Sequence, residues 1–241
     1  MIEQTNATIY LSDQRRCTQT ETFRSFHTFN FGSFFDENKK PFANLLAFNE
    51  DTLMPNSCVT HTVDAQTTVI ILPIHGTVEV FNDFNTEGVY VGIGEAYFFT
   101  TVDEEFLKVI NPYDSDIVSY LQIHLQNVDF QPFNKEKITA FDFIPAPNQL
   151  LPFFLDEDKN QNTLGYIGQY EGRKESIYTL KNPKNSVFVF VIEGVFEVQN
   201  RLLHARDGLS LSEIDVLELE ALSNVAVILL LELPFENVRT K

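Results

Sequence analysis

A chain of 241 residues, 44% hydrophobic and 21% charged, is long enough for one large domain or two small ones with real cores, and too apolar to be disordered. Its two cysteines, Cys17 and Cys58, allow at most one bridge, which excludes a disulfide scaffold; free thiols suit a reducing compartment. With 17 Lys and Arg against 34 Asp and Glu, a net charge of -17, the chain is a poor partner for a nucleic-acid phosphate backbone.

The first residues, MIEQTNATIYLSDQRR, lack the apolar stretch of a signal peptide. The longest apolar run, Val225 to Leu231, is too short to cross a bilayer as a helix and suits a buried strand. A soluble, cytoplasmic protein with no membrane partner is expected. Short runs rich in Val, Ile, Phe and Tyr then recur along the chain. They are Val69–Leu72, Thr77–Phe81, Val89–Ile93, Ala96–Thr100, Phe106–Ile110 and Ile117–Leu125 in the first half. Leu164–Tyr170, Ser176–Leu180, Val187–Ile192, Val195–Val198, Leu209–Leu211, Val216–Leu219 and Val225–Leu231 follow in the second. Turn signals such as His75-Gly76, Asn111-Pro112, Lys181-Asn182-Pro183 and Asp207-Gly208 separate them. Many short strands at this spacing predict an all-β sandwich or barrel, with room for one short helix at Leu150–Asp158.

The strands repeat. Val69–Asn82 (VIILPIHGTVEVFN) aligns with Val187–Asn200 (VFVFVIEGVFEVQN) at an offset of 118, with six of fourteen positions identical, Gly76/Gly194 and Asn82/Asn200 among them. A period near half the chain reads as a duplicated domain and not as a solenoid unit. The predicted organisation is an N-terminal barrel with its entry segment over residues 1–130, a linker over 131–160 marked by Pro132, Pro145, Pro147 and Pro152, and a C-terminal barrel over 161–241.

The entry segment sharpens the fold. His27-Thr28-Phe29-Asn30-Phe31, Phe35-Asp36-Glu37 and Leu46-Ala47-Phe48-Asn49-Glu50-Asp51 resemble the opening of the pirin family of cupins, in particular its quercetinase-like bicupins. Tyr120-Leu121-Gln122-Ile123-His124 resembles a later family strand with His124 in place of a Trp, and Val187–Pro234 resembles the second, metal-free barrel. The resemblance implies two antiparallel jelly-roll barrels. It also implies a single iron-like metal held in the N-terminal barrel by a His-Pro-His, a nearby Glu and a later His.

This sequence departs from that ligand set. In Thr60-His61-Thr62-Val63-Asp64-Ala65-Gln66-Thr67-Thr68, alignment from the left puts His61 and Val63 on the two His positions. Alignment from Gly76 puts Thr62 and Asp64 there and Thr68 on the Glu, and the later His falls near Leu107. Neither register supplies the donors a transition metal needs. The resulting expectation is a degenerate metal site with no cofactor, in a non-catalytic protein that binds a small molecule or a protein partner. The alternative is a quercetin 2,3-dioxygenase-like enzyme with one divalent iron, copper, manganese or nickel ion in the N-terminal barrel. The pocket candidates are His61, Asp64, Gln66, Thr68, Gln122 and His124.

The remaining features have plain structural readings. His27 and the Phe23, Phe26, Phe29, Phe31, Phe34, Phe35 cluster cement the entry strands. His75 belongs to a turn, and His204 stands alone. Cys58 is read as a small buried hydrophobe. Gly92-Ile93-Gly94-Glu95 is a turn, not a dinucleotide fingerprint. Asp103-Glu104-Glu105 and Asp156-Glu157-Asp158 are read as solvated loops.

Overall fold

The computed structural model describes residues 6–127, 136–155 and 163–234. Among them lie twenty-one strands and two single-turn 3-10 helices. The strands of the first half are β1 (Asn6–Tyr10), β2 (Arg16–Gln19), β3 (Phe23–His27), β4 (Leu45–Leu53), β5 (Cys58–Val63), β6 (Thr67–His75), β7 (Val78–Asn82), β8 (Val89–Val91), β9 (Glu95–Thr100), β10 (Glu105–Ile110) and β11 (Val118–Gln126). Then come β12 (Glu136–Ala140), β13 (Leu151–Leu155), β14 (Leu164–Tyr170), β15 (Glu175–Thr179), β16 (Ser186–Glu193), β17 (Val195–Val198), β18 (Arg201–His204), β19 (Gly208–Ser212), β20 (Val216–Ala221) and β21 (Ala226–Leu233). No helix among the described residues is long and apolar enough to cross a membrane.

The strands form two units, each of two antiparallel sheets. In the N-terminal unit the sheets run β12-β9-β6-β11-β4-β3-β2 and β5-β10-β7-β8; in the C-terminal unit they run β1-β19-β16-β21-β14-β13 and β15-β20-β17-β18. Adding ten to each label turns the order β9-β6-β11-β4 into β19-β16-β21-β14, and β5-β10-β7-β8 into β15-β20-β17-β18. The duplication legible in Val69–Asn82 and Val187–Asn200 therefore extends through both barrels strand for strand. Each unit has its own apolar core. One gathers Leu53, Val69, Ile71, Val80, Tyr97, Leu107 and Tyr120; the other gathers Val187, Val189, Phe196, Leu209, Leu217 and Leu230.

The boundaries differ from the predicted ones. Strand β1 pairs with β19, so the first strand of the chain completes the C-terminal unit. Tyr10 anchors it, with its ring 6.0 Å from that of Phe188. The stretch expected as a linker contributes β12 to the edge of β9 and β13 to the edge of β14. Leu151–Leu155, in the stretch with room for one short helix, is that second strand; its residues pair with Leu164–Ile167. The two additions are equivalent, since β12 covers β9 as β1 covers β19, and an uncovered edge is a site of unwanted pairing. Pro132 and Asp156-Glu157-Asp158 lie outside the described residues.

Gly194 occupies the duplicated turn with φ +82°, and a Cβ there would stand 2.5 Å from Ser223 Oγ and 2.7 Å from Ala226 Cβ. Gly32 has φ +59° but nothing within 4 Å of its Cβ position. Gly194→Ala combines the left-handed penalty with a backbone-side clash and is expected to destabilise the C-terminal unit by about 2–3 kcal/mol. Gly32→Ala is expected to cost about 1 kcal/mol. Urea denaturation of both variants checks the difference.

Candidate functional site

Strand alternation sends every second side chain of β3, β4 and β11 to the interior of the N-terminal unit. Three rows result: Phe23–Leu53–Val118, Ser25–Asp51–Tyr120 and His27–Asn49–Gln122, each in direct cross-strand register. The first row is apolar and belongs to the core; the second and third are polar and still buried, Asn49 and Gln122 to 0% exposure. His124 extends the third row along β11. Facing this lane from the other sheet is β5, whose inward residues are Val59, His61 and Val63; His61 pairs with Leu107 on β10.

Three imidazoles converge on one ring. The Phe31 centroid lies 5.4 Å from that of His27, nearly parallel to it, and 5.6 Å edge-on from those of His61 and His124. Phe23 closes the other side of His61 at 5.9 Å. Phe31 is seated by a tight loop: Phe34 N donates to Phe31 O, Asp36 N donates to Asn30 Oδ1, and Asn30 Nδ2 returns to Asp36 O.

The hydrogen bonds fix the chemistry of each ring. The Thr18 hydroxyl donates to His27 Nε2 at 3.0 Å and His27 Nδ1 donates to Asn49 Oδ1 at 3.0 Å, so His27 has both nitrogens occupied. Gln122 Nε2 donates to His124 Nε2 at 2.8 Å. His61 Nε2 is buried with no protein partner. Burial, reinforced by His27, pulls the His61 pKa down to about 4. Burial, reinforced by His61, pulls that of His124 down to about 3. Both rings are neutral at pH 7. Burial and then the Asp51 carboxylate push the Tyr120 hydroxyl well up, so it remains a proton donor beside Asp51.

Of the six pocket candidates, the structure brings His61, Gln122 and His124 together. Asp64 and Gln66 lie exposed in the β5–β6 turn, where Gln66 takes φ +57° and Thr101 Oγ1 donates to the Asp64 carbonyl. Thr68 is buried but bonds Thr100 Oγ1 and Asn127 Oδ1, on the face of β6 opposite Val69. These three serve the strand connection and do not reach the histidines. His27, read as cement, is part of the cluster, and Asn49, Asp51 and Tyr120 join it unannounced. Their signal is polarity at the inward parity of otherwise apolar strands. Cys58 is exposed, not buried, because its side chain follows the outward parity of Thr60 and Thr62. Glu105, expected in solvent, is 8% exposed and accepts from Val102 N at 3.1 Å; burial raises its pKa.

The two registers in which the family's ligand positions align differ in which face of β5 they use. The left-anchored one uses His61 and Val63 on the inward face, with Leu107 directly across from His61, whereas Thr62 and Asp64 of the other point out. Two of these three inward positions are apolar and cannot ligate. Substitute donors do not assemble: His27 is spent on Thr18 and Asn49, His124 Nε2 on Gln122, and Phe31 sits against all three rings. Among the described residues no three His, Cys, Asp or Glu side chains are placed to hold a metal ion. The residues present do not fit the family's metal.

The C-terminal unit offers a different surface. Glu175, Glu220 and Glu197 stand in one register across β15, β20 and β17, with Glu218 beside them, on the outer side of the four-stranded sheet. The strip is acidic and solvated, and it has no buried polar group aimed at a ligand.

Comparison with known proteins agrees with this architecture. Residues 159–233 match the family model described as the quercetinase C-terminal cupin domain. YhhW from Escherichia coli superposes with a TM-score of 0.86 at 18% identity, covering 97% of this chain and 100% of that one. The same bacterial pirin, solved in complex with nickel(II), gives 0.84 at 18% identity over 95% of this chain and 99% of that one. A quercetin 2,3-dioxygenase from Acinetobacter baumannii gives 0.71 at 13% identity over 95% of this chain and 80% of that one. No curated protein sequence matches the chain.

Proposed function

From the premise that the chain is a pirin-type bicupin, we propose that its N-terminal barrel binds a small uncharged molecule and has given up the family's metal chemistry. The observation that carries this reading is Leu107 facing His61 across β5 and β10, with Val63 beside it, where the family places ligands. The interior of the strand lane has kept its polarity while the metal positions have become apolar. A lane of buried amides and neutral imidazoles walled by Phe23 and Phe31 has the make-up of a ligand site, a mostly apolar enclosure with a few placed polar groups. The Asp51 carboxylate in the same lane disfavours an anion.

Two measurements on the full-length protein test it. Metal analysis after purification, and again after incubation with nickel(II) or iron(II) and desalting, is expected to give well below one equivalent. A stoichiometric metal lost in His61→Ala overturns the reading in favour of a quercetinase-like metalloenzyme. A thermal-shift screen of flavonoids, simple aromatics and organic acids is expected to yield stabilising uncharged compounds. A screen in which nothing stabilises the protein overturns the binding role.

A further inference from the structure

The polar row that crosses β2, β3, β4 and β11 is hydrogen-bonded at both ends and open in the middle. At one end Thr18 donates to His27, which donates to Asn49 Oδ1; at the other Gln122 Nε2 donates to His124. Between them, Asn49 Nδ2 and Gln122 Oε1 are buried without a protein partner, although the two residues are paired directly across β4 and β11. Each such atom carries the full desolvation penalty of a buried polar group.

The ends dictate what the middle can accept. His27 takes the Asn49 carbonyl oxygen, which leaves the Asn49 amide to donate onward. His124 takes the Gln122 amide, which leaves the Gln122 carbonyl to accept. The missing group must therefore accept from one and donate to the other. A hydroxyl does both; a carboxylate, ketone or ether only accepts, and an ammonium only donates. The Asp51 carboxylate in the adjacent row disfavours an anion further, and Phe31, half-buried over the histidines, covers the row from solvent.

We propose that the N-terminal unit recognises an uncharged ligand through one hydroxyl group that bridges Asn49 Nδ2 and Gln122 Oε1, with the Phe31 ring as cover. The inference rests on the small-molecule reading above and narrows it to the group that is read.

Phenol, anisole and benzoate are of similar size and separate hydroxyl recognition from binding as such. Titration of each into full-length protein at pH 7.5, followed by the imidazole nitrogen shifts of His61 and His124, gives three dissociation constants. Phenol is expected to bind at least tenfold more tightly than anisole or benzoate, because a site built for a hydroxyl is left with unpaired groups by its analogues. Phe31→Ala is expected to weaken binding of all three and keep that order, and Gln122→Leu to reduce the phenol-to-anisole ratio to near one. If Gln122→Leu does not fold, the wild-type ratio still decides. Equal affinity for phenol and anisole, or a preference for benzoate, overturns the hydroxyl assignment but leaves the binding reading standing. No shift with any of the three overturns the assignment, and with an empty thermal-shift screen the reading falls as well.

Discussion

Glu232→Ala is expected to destabilise the C-terminal unit by about 3–5 kcal/mol, a large part of the stability of a domain this size. Glu232 lies on β21 at the inward parity of Ala226, Ile228 and Leu230, and is 0% exposed. Its two oxygens accept four hydrogen bonds. Oε2 takes Tyr178 OH at 2.5 Å and Lys181 N at 2.9 Å; Oε1 takes Asn182 N at 3.0 Å and Asn185 Nδ2 at 2.7 Å. Burial and the Glu232 partner both raise the Tyr178 pKa, which keeps that hydroxyl a donor. One carboxylate thus closes the loop that carries the chain from β15 in one sheet to β16 in the other.

Removing it strands four donors around a hole. Glu232→Gln is a finer probe. In either orientation its amide nitrogen meets a backbone N–H, that of Lys181 or that of Asn182, so at least one donor stays unpaired. Its expected cost is about 1–3 kcal/mol. Glu193→Ala, at an exposed strand end, should stay within about 0.5 kcal/mol. Hydrogen exchange read by mass spectrometry assigns each loss to its unit. If the amides of β14, β16 and β21 keep wild-type protection in Glu232→Ala, the carboxylate is not the keystone described.

The duplicated turn and the pairing of distant strands differ in how visible they are in the sequence. Gly76 and Gly194 were legible because a tight turn between apolar strands leaves few choices of residue, so both copies kept it. The β6–β7 and β16–β17 hairpins followed from continuous apolar runs of strand length around that glycine, which repeat in both halves. What sequence could not carry was pairing between distant segments. Asn6–Tyr10 has the texture of a strand, but nothing local says that its partner is Gly208–Ser212. Leu151–Leu155 was short, flanked by charge, and became a strand because β14 offered an edge.

The candidate site divides the same way. His61, Gln122 and His124 could be placed by resemblance to strands that line a barrel. The alignment from Gly76 brings in Asp64 and Thr68, with Gln66 between them, yet a turn and a change of face separate them from His61. Asn49 and Asp51 were hidden in a strand whose two faces are both buried, where alternation gives no contrast to read. His27 became functional-looking only when Phe31 folded back over it.

Acid should undo the N-terminal unit before the C-terminal one. His61 and His124 both titrate near 6.5 in an unfolded chain, and burial lowers them to about 4 and about 3 in the folded unit. Above pH 6.5 both rings are neutral in both states and contribute no pH dependence. As pH falls below 6.5 the unfolded chain takes up two protons that the folded unit refuses, so stability drops until the folded pKa values are reached. At about 1.4 kcal/mol per proton and pH unit, the loss by pH 4.5 is on the order of 5 kcal/mol. Of the groups facing the pair, His27 from β3 opposes protonation of His61, and Tyr120 stays neutral. Easing of the net charge of -17 as the carboxylates neutralise works the other way, but on both units alike. Among the described residues the C-terminal unit has one histidine, His204, and it is exposed, which makes that unit the internal control. Hydrogen exchange between pH 7 and 4.5, corrected for intrinsic rates, should show β4 and β11 losing protection while β16 and β21 keep theirs. His61→Gln removes one of the two refused protons and should flatten the N-terminal slope by about 1.4 kcal/mol per pH unit. Parallel loss in both units, or an unchanged slope in His61→Gln, would mean that the buried imidazoles are not what acid attacks.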